Sequence, residues 1–175
     1  MFREPSPGAP TDGYARIARI AAARFVPVLA DTYGLALAEV LAEIPSVVKV
    51  HAAEAAAATR LTVDDAASAA AAAGILAVRG AAGVVVTLGI AGAVVVSAAG
   101  ATFLVPPDAR GAYPLGSGDA FFAGLAAALI DGGSLEEAAR RGMAAGIANA
   151  LVPGAGELDR AAAERLVHEI KVRAM

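Results

Sequence analysis

Gly116-Ser117-Gly118-Asp119 is the stretch of this chain whose residue types and spacing could do chemistry. It runs into the apolar segment Ala120-Phe121-Phe122-Ala123-Gly124-Leu125-Ala126-Ala127-Ala128-Leu129-Ile130, closed by Asp131-Gly132-Gly133. Two glycines ahead of a helix let the backbone bend until several N–H groups point the same way. Those N–H groups lack intrahelical partners, and the helix dipole adds partial positive charge beside them. Such an end can hold an anion, typically a phosphate. The aspartate there has two readings. It is either a charge complementing the dipole, worth ~0.3–1 kcal/mol, or a general base beside a phosphate being transferred.

Three further places carry candidate chemistry. Thr87-Leu88-Gly89-Ile90-Ala91-Gly92 ends a strand on the carboxyl side of a sheet, where such folds bind ligands, or else it is an ordinary turn needing glycine. Lys49 closes a second strand, where it could meet a phosphate or lie solvated. Glu54 is an acid in the first turn of a helix, beside His51. His168 is the only other histidine and lies far along the chain, so the sequence offers no histidine-based metal cluster. No GxGxxG opens a helix after a strand, and no GxxxxGK[ST] loop is present.

The elements that must position these residues can be read from periodicity. A helix is expected over 14–24, a strand over 25–31, a helix over 35–42 and a strand over 47–50. Helices over 51–59 and 63–73 follow, the second opened by Thr62 as cap. This alternation predicts an open parallel sheet with helices on both faces. Runs at 83–89, 92–97 and 101–105 are joined by turns too short for a helix, so one edge is expected to be an antiparallel meander. Three helices then close the chain, over 119–130, 134–151 and 159–173, with Ser134 and Glu137 in the spacing of a capping box. The expectation is one α/β domain over residues 1–175, a three-layer αβα sheet, mostly parallel with an antiparallel edge.

Composition narrows the function. The chain has 175 residues, enough for one substantial core. It is 58% hydrophobic but only 5% aromatic, so its core rests on small side chains in close contact. A net charge of −3, without a Lys/Arg cluster, argues against nucleic acid as a partner. Zero cysteines exclude disulfides and thiolate metal sites. The amino-terminal residues do not read as a signal peptide, and Arg79 with the glycines at 74, 80 and 83 breaks up the alanine-rich run that could suggest a membrane span. A cytoplasmic protein without membrane contact is expected.

The motifs also carry a resemblance. Gly116-Ser117-Gly118-Asp119 with Ala123-Gly124 resembles the carboxy-terminal signature of the ribokinase-like (PfkB-type) carbohydrate kinases, nearest to their phosphofructokinase and tagatose-6-phosphate kinase branch. Ser6-Pro7-Gly8 is similar to the family's Pro-Gly loop, and Lys49 to Glu54 to its Lys-x-Asn-x-x-Glu pattern, with His51 where the family has Asn. Thr87 to Gly92 resembles its nucleotide loop, and Asn149 with Pro153-Gly154-Ala155-Gly156 the segment flanking the adenine. The resemblance implies ATP and Mg²⁺ as cofactors and transfer of phosphate to a sugar or sugar phosphate. Gly116, Ser117 and Gly118 would form the anion hole and Asp119 the base. Thr87, Leu88, Gly89, Gly92 and Asn149 would contact the nucleotide, while Lys49, His51 and Glu54 would lie in the phosphate and metal region. The family's amino-terminal sugar-binding part and lid have no counterpart in this sequence, so only the nucleotide half is expected. Two alternatives stand beside the kinase reading: a nucleotide-binding module without turnover, and a structural association domain. A homodimer is expected from the sheet edge that the missing strands would expose.

Overall fold

Runs of valine make the strands of this chain, and alanine-rich stretches make its helices. The structure, a computed structural model, describes Pro10 and residues 12–175. The motif Ser6-Pro7-Gly8 lies outside the described residues. In chain order the elements are α1 (Gly13–Ala22), β1 (Leu29–Asp31), α2 (Gly34–Leu41), β2 (Val47–His51), α3 (Ala52–Thr59), α4 (Ala66–Val78) and β3 (Val84–Thr87). A 3-10 turn over Gly89–Ala91 follows, then β4 (Ala93–Ser97), β5 (Gly100–Val105), α5 (Ser117–Ile130), α6 (Leu135–Ala150), α7 (Arg160–Glu169) and β6 (Lys171–Ala174). The six strands form one sheet in chain order. It is mixed. β1, β2 and β3 are parallel, β4 and β5 are joined by only two residues as antiparallel neighbours are, and β5 pairs antiparallel with β6.

One compact unit runs up to Leu88 and takes in Val96–Ala101. Val48, Val50, Val84, Val85 and Val86 are fully buried, as expected of parallel strands covered on both faces. α2 buries Leu37, Val40 and Leu41, and α4 buries Ala69, Ala72, Ala73 and Leu76, the 3.6-residue spacing of one helical face. Two expectations change here. β1 is shorter than the run from Phe25 to Asp31, because Pro27 has no N–H for the ladder. Phe25 instead takes a left-handed φ of 56° and is 97% exposed. The second change is the cap of α4, which is Asp65 rather than Thr62. The Asp65 carboxylate accepts the Ser68 N–H at 2.7 Å, and the Ser68 hydroxyl reaches back to the Asp65 N–H. Hydrogen bonds from the Ser68 hydroxyl and N–H hold the Asp65 carboxyl below its ordinary pKa.

The second unit holds Gly89–Val95 and Thr102–Met175. Its centre is the pair α5 and α6, which meet along small residues. A Cβ at Gly142 would lie 2.6 Å from the Phe121 carbonyl oxygen, and one at Gly146 would lie 2.9 Å from that of Ser117. Glycine therefore sets how closely the two backbones approach. Phe121, Leu125, Ala138, Ala139, Ala144 and Ala148 are buried. Ser134 caps α6 by accepting the Glu137 N–H at 3.2 Å. The reciprocal half of the expected box is not made, and the Glu137 carboxylate faces Arg141 at 3.4 Å instead.

The expected last helix over 159–173 is cut short. α7 ends at Glu169, and Lys171–Ala174 becomes a sixth strand with Leu104 opposite Val172 and Val105 opposite Lys171. Ile170, 3% exposed, is already extended, and the following Lys-Val-Arg-Ala alternates with period 2. The antiparallel part of the sheet is larger than expected for that reason.

Candidate functional site

α5 begins at Ser117, two residues before the helix expected over 119–130, and that shift defines the site. Gly116 is its N-cap, in the left-handed region at φ 85° and ψ −7°. The Ser117 N–H donates to the Pro114 carbonyl at 3.2 Å, and the Ala120 N–H to the Gly116 carbonyl at 2.8 Å. Between them, the N–H groups of Gly118 and Asp119 have no partner among the described residues, and no side chain caps the helix. Asp119 stands in this first turn, exposed and without an ion pair among the described residues. A second glycine loop lies against the cap. A Cβ at Gly116 would sit 2.5 Å from the Gly156 N and 3.0 Å from the Ala155 Cα. Any residue but glycine would have to push that loop away, in addition to bearing the strain of a positive φ.

Ser117 and Asn149 meet in a way the sequence did not suggest. The Ser117 hydroxyl does not cap its helix; it donates to Asn149 Oδ1 at 3.2 Å. Asn149 is fully buried, and its Nδ2 donates to the carbonyls of Gly154 at 3.0 Å and Glu157 at 2.7 Å. Backbone carbonyls only accept, so these two bonds fix which end of the amide is nitrogen. Both donors of the side chain are therefore used inside the protein.

Lys49, His51, Glu54, Thr87 and Leu88 lie in the first unit, at the carboxyl ends of β2 and β3 and in the first turn of α3. Lys49 is not solvated. It is 5% exposed, and its Nζ lies 2.7 Å from Oδ2 of Asp31, its register partner on β1. The partner escaped sequence reading because strand register is not written in either strand. His51 is the N-cap of α3. Its Nδ1 accepts the N–H groups of Ala53 at 3.2 Å and Glu54 at 3.4 Å. The Glu54 carboxylate accepts the His51 N–H at 2.8 Å and lies 3.2 Å from His51 Nε2. The ring thus does the capping that a side-chain amide oxygen would do in the Asn of the family pattern. Thr87 sits opposite His51 in the β2–β3 ladder, its Oγ1 3.5 Å from the Val50 carbonyl oxygen.

Gly89, Gly92, Gly116, Ser117, Gly118, Asp119 and Asn149 belong to the second unit. The 3-10 turn opens at Gly89, with φ 60° and open space around it. Gly92 has φ 128°, and a Cβ there would strike the Leu104 carbonyl oxygen. Close packing on β5 is reason enough for that glycine. Among the described residues no three His, Cys, Asp or Glu side chains come together as a metal site, and no helix is long and apolar enough to cross a membrane.

Solved structures of similar fold extend these observations. A provisionally assigned phosphofructokinase from Staphylococcus aureus is 28% identical, with a TM-score of 0.85 over 95% of this chain and 54% of its own. Phosphofructokinase-2 from Escherichia coli, solved with potassium, is 26% identical, with a TM-score of 0.86 over 93% of this chain and 53% of its own. Ribokinase from Arabidopsis thaliana, solved with ribose and ATP, shares the fold at 24% identity and a TM-score of 0.79, over 89% of this chain and 52% of its own. The chain spans about half the length of each of these structures. No curated protein matches it significantly. The family model for pfkB family carbohydrate kinases matches residues 5–161, a span that includes every candidate residue of both units. The chain belongs to the pfkB family of carbohydrate kinases.

Proposed function

We propose that this chain serves the ATP-dependent phosphorylation of a hydroxyl on a sugar or sugar phosphate, with α5 as the phosphate-holding helix. One observation carries the reading. The first turn of α5 presents two N–H groups without a partner among the described residues, behind a left-handed glycine, with the exposed carboxylate of Asp119 in the same turn. The glycines let a phosphate approach the backbone, and the N–H groups with the helix dipole offset its charge. ATP, when bound, supplies the electrophilic phosphorus and ADP as leaving group. Asp119 accepts the proton of the attacking hydroxyl as its oxygen bonds to that phosphorus.

Thr87, Leu88, Gly89 and Gly92 are assigned to the nucleotide, and Lys49, His51 and Glu54 to the phosphate and metal region, on family resemblance. Among the described residues there is no ready cage for Mg²⁺. Glu54 is held by His51 on both sides, so the ion would rest chiefly on the phosphates and reach Glu54 through water. A cytoplasmic location, where ATP is at hand, goes with this reading. The test is release of ADP from ATP and Mg²⁺ in the presence of hexoses and hexose phosphates. Nucleotide binding without turnover on any of them would favour the binding module. No binding at millimolar nucleotide would leave the association domain.

Self-association belongs to the same proposal. Tyr14, Ile17 and Ile20 on α1, with Phe25 and Val26 after it, are all exposed, and among the described residues β1 pairs only with β2. Exposed apolar side chains and a strand edge without a second neighbour favour burial against another chain. A homodimer by light scattering at micromolar concentration is the expected result, and a clean monomer would remove this part of the proposal.

A further inference from the structure

Asn149 has a side chain with no solvent exposure, yet it is polar and stands on a helix face otherwise made of small residues. Gly142, Gly146 and Asn149 follow one another at i, i+4 and i+7 on α6, one stripe facing α5. A stripe of glycine and alanine would pack α5 without an amide. What the amide adds is three hydrogen bonds running to two different places. Nδ2 holds the carbonyls of Gly154 and Glu157 in the glycine loop, and Oδ1 receives the hydroxyl of Ser117, the first residue of α5. The loop and the helix start meet again at Gly116, whose backbone lies against Ala155 and Gly156.

We infer that Asn149 is a positioning residue for the phosphate site, tying the Gly154–Glu157 loop to the first turn of α5 through Ser117, and not a residue that touches the nucleotide. This rests on the proposed role of α5. A buried group with both donors already used has no N–H left for a ligand. An anion hole depends on the aim of its N–H groups, and an exposed helix start frays unless something holds it. The Ser117–Asn149 bond holds the turn from behind, leaving the N–H groups of Gly118 and Asp119 free in front. A role confined to bracing the loop would need the two Nδ2 bonds and not the third.

The test separates these roles without requiring any ligand. Amide hydrogen exchange at Ala120, whose N–H closes the first turn onto Gly116, is compared in wild type, Ser117→Ala, Asn149→Ala and the double variant. If Asn149 acts through Ser117, exchange at Ala120 speeds up by about three- to tenfold in each single variant, the worth of one hydrogen bond, and the double variant adds little. Ala144, deep in α6, should keep its wild-type rate in Ser117→Ala. Unchanged exchange at Ala120 in Ser117→Ala overturns the inference, and this variant decides alone if Asn149→Ala does not fold. A second readout is the dissociation constant for ADP with Mg²⁺, which should rise by about three- to tenfold in Ser117→Ala while the melting temperature moves little. An unchanged constant in a protein that binds ADP overturns the inference too. If the wild type binds no ADP, the proposed function falls, and exchange at Ala120 still decides the role of Asn149.

Discussion

Two helices of this chain begin beside a family motif, and they begin in opposite ways. α3 is closed. The His51 ring accepts two of its first N–H groups, and the Glu54 carboxylate accepts the His51 N–H, so the turn satisfies itself. α5 is open. Its N-cap is a glycine with no side chain to offer, and the N–H groups of Gly118 and Asp119 find no partner among the described residues. Both starts have an acid at the third helical position, Glu54 in one and Asp119 in the other. In α3 the acid turns back onto its own cap; in α5 it faces solvent. A motif match alone does not separate these cases. The difference between a cap and a site lies in whether the orphaned donors are already answered.

The comparison breaks most sharply at Asp119. Where sugar phosphorylation is measured, by this chain or by this chain joined to a complementary amino-terminal half, Asp119→Asn should lower kcat by about 10²-fold or more. The asparagine keeps the shape and cannot take the proton. Nucleotide affinity should change little, because the donors are backbone. Activity that survives the substitution would reduce Asp119 to a helix charge.

Gly116→Ala tests the open start itself. The new Cβ would meet backbone of the second loop, 2.5 Å from the Gly156 N, at a φ of 85°. We expect a loss of about 1–3 kcal/mol in urea unfolding, together with weaker nucleotide binding. Gly132→Ala has a nearly equal φ of 86° and nothing within 4 Å. It should cost less and leave binding intact, which isolates the contact from the backbone strain. Equal losses in the two variants would show that the close approach to the loop is unimportant.

The smallest effect is expected at the closed start. His51→Ala removes a cap and should lower stability by about 0.5–2 kcal/mol, whereas His51→Asn, which restores an amide acceptor, should sit near wild type. A shift in the urea midpoint for alanine but not asparagine is the readout. Equal loss in both would mean that the ring does something other than cap.

Much of this architecture was legible in the sequence, for identifiable reasons. Valine runs separated by alanine-rich helices fix an α/β chain, and the two-residue turn before β5 forces an antiparallel neighbour. The glycine turn into α5 was legible too, because Gly116-Ser117-Gly118-Asp119 before an apolar run marks a helix start with an acid in its first turn. What stayed hidden depends on pairing across distance. Lys49 reads as a solvated strand end until register sets Asp31 beside it. Asn149 reads as one polar residue in a helix until the fold brings Ser117 and the Gly154 loop to it. β6 was lost inside an expected helix because four residues are too few for period 2 to overrule a helical pattern. The Asp65 cap was missed for a local reason: Thr62, three residues upstream, reads as the cap, whereas Asp65 is the residue with Ser68 placed to answer it.

The most direct test of the open start of α5 is a titration of the ¹⁵N-labelled chain with ADP and Mg²⁺, following individual backbone amides. Binding at α5 predicts that the Gly118 and Asp119 signals move progressively and saturate. Those of Ala53 and Glu54, already held by His51, should move far less. Movement confined to Ala53 and Glu54, or none anywhere at millimolar nucleotide, would contradict α5 as the phosphate-holding helix.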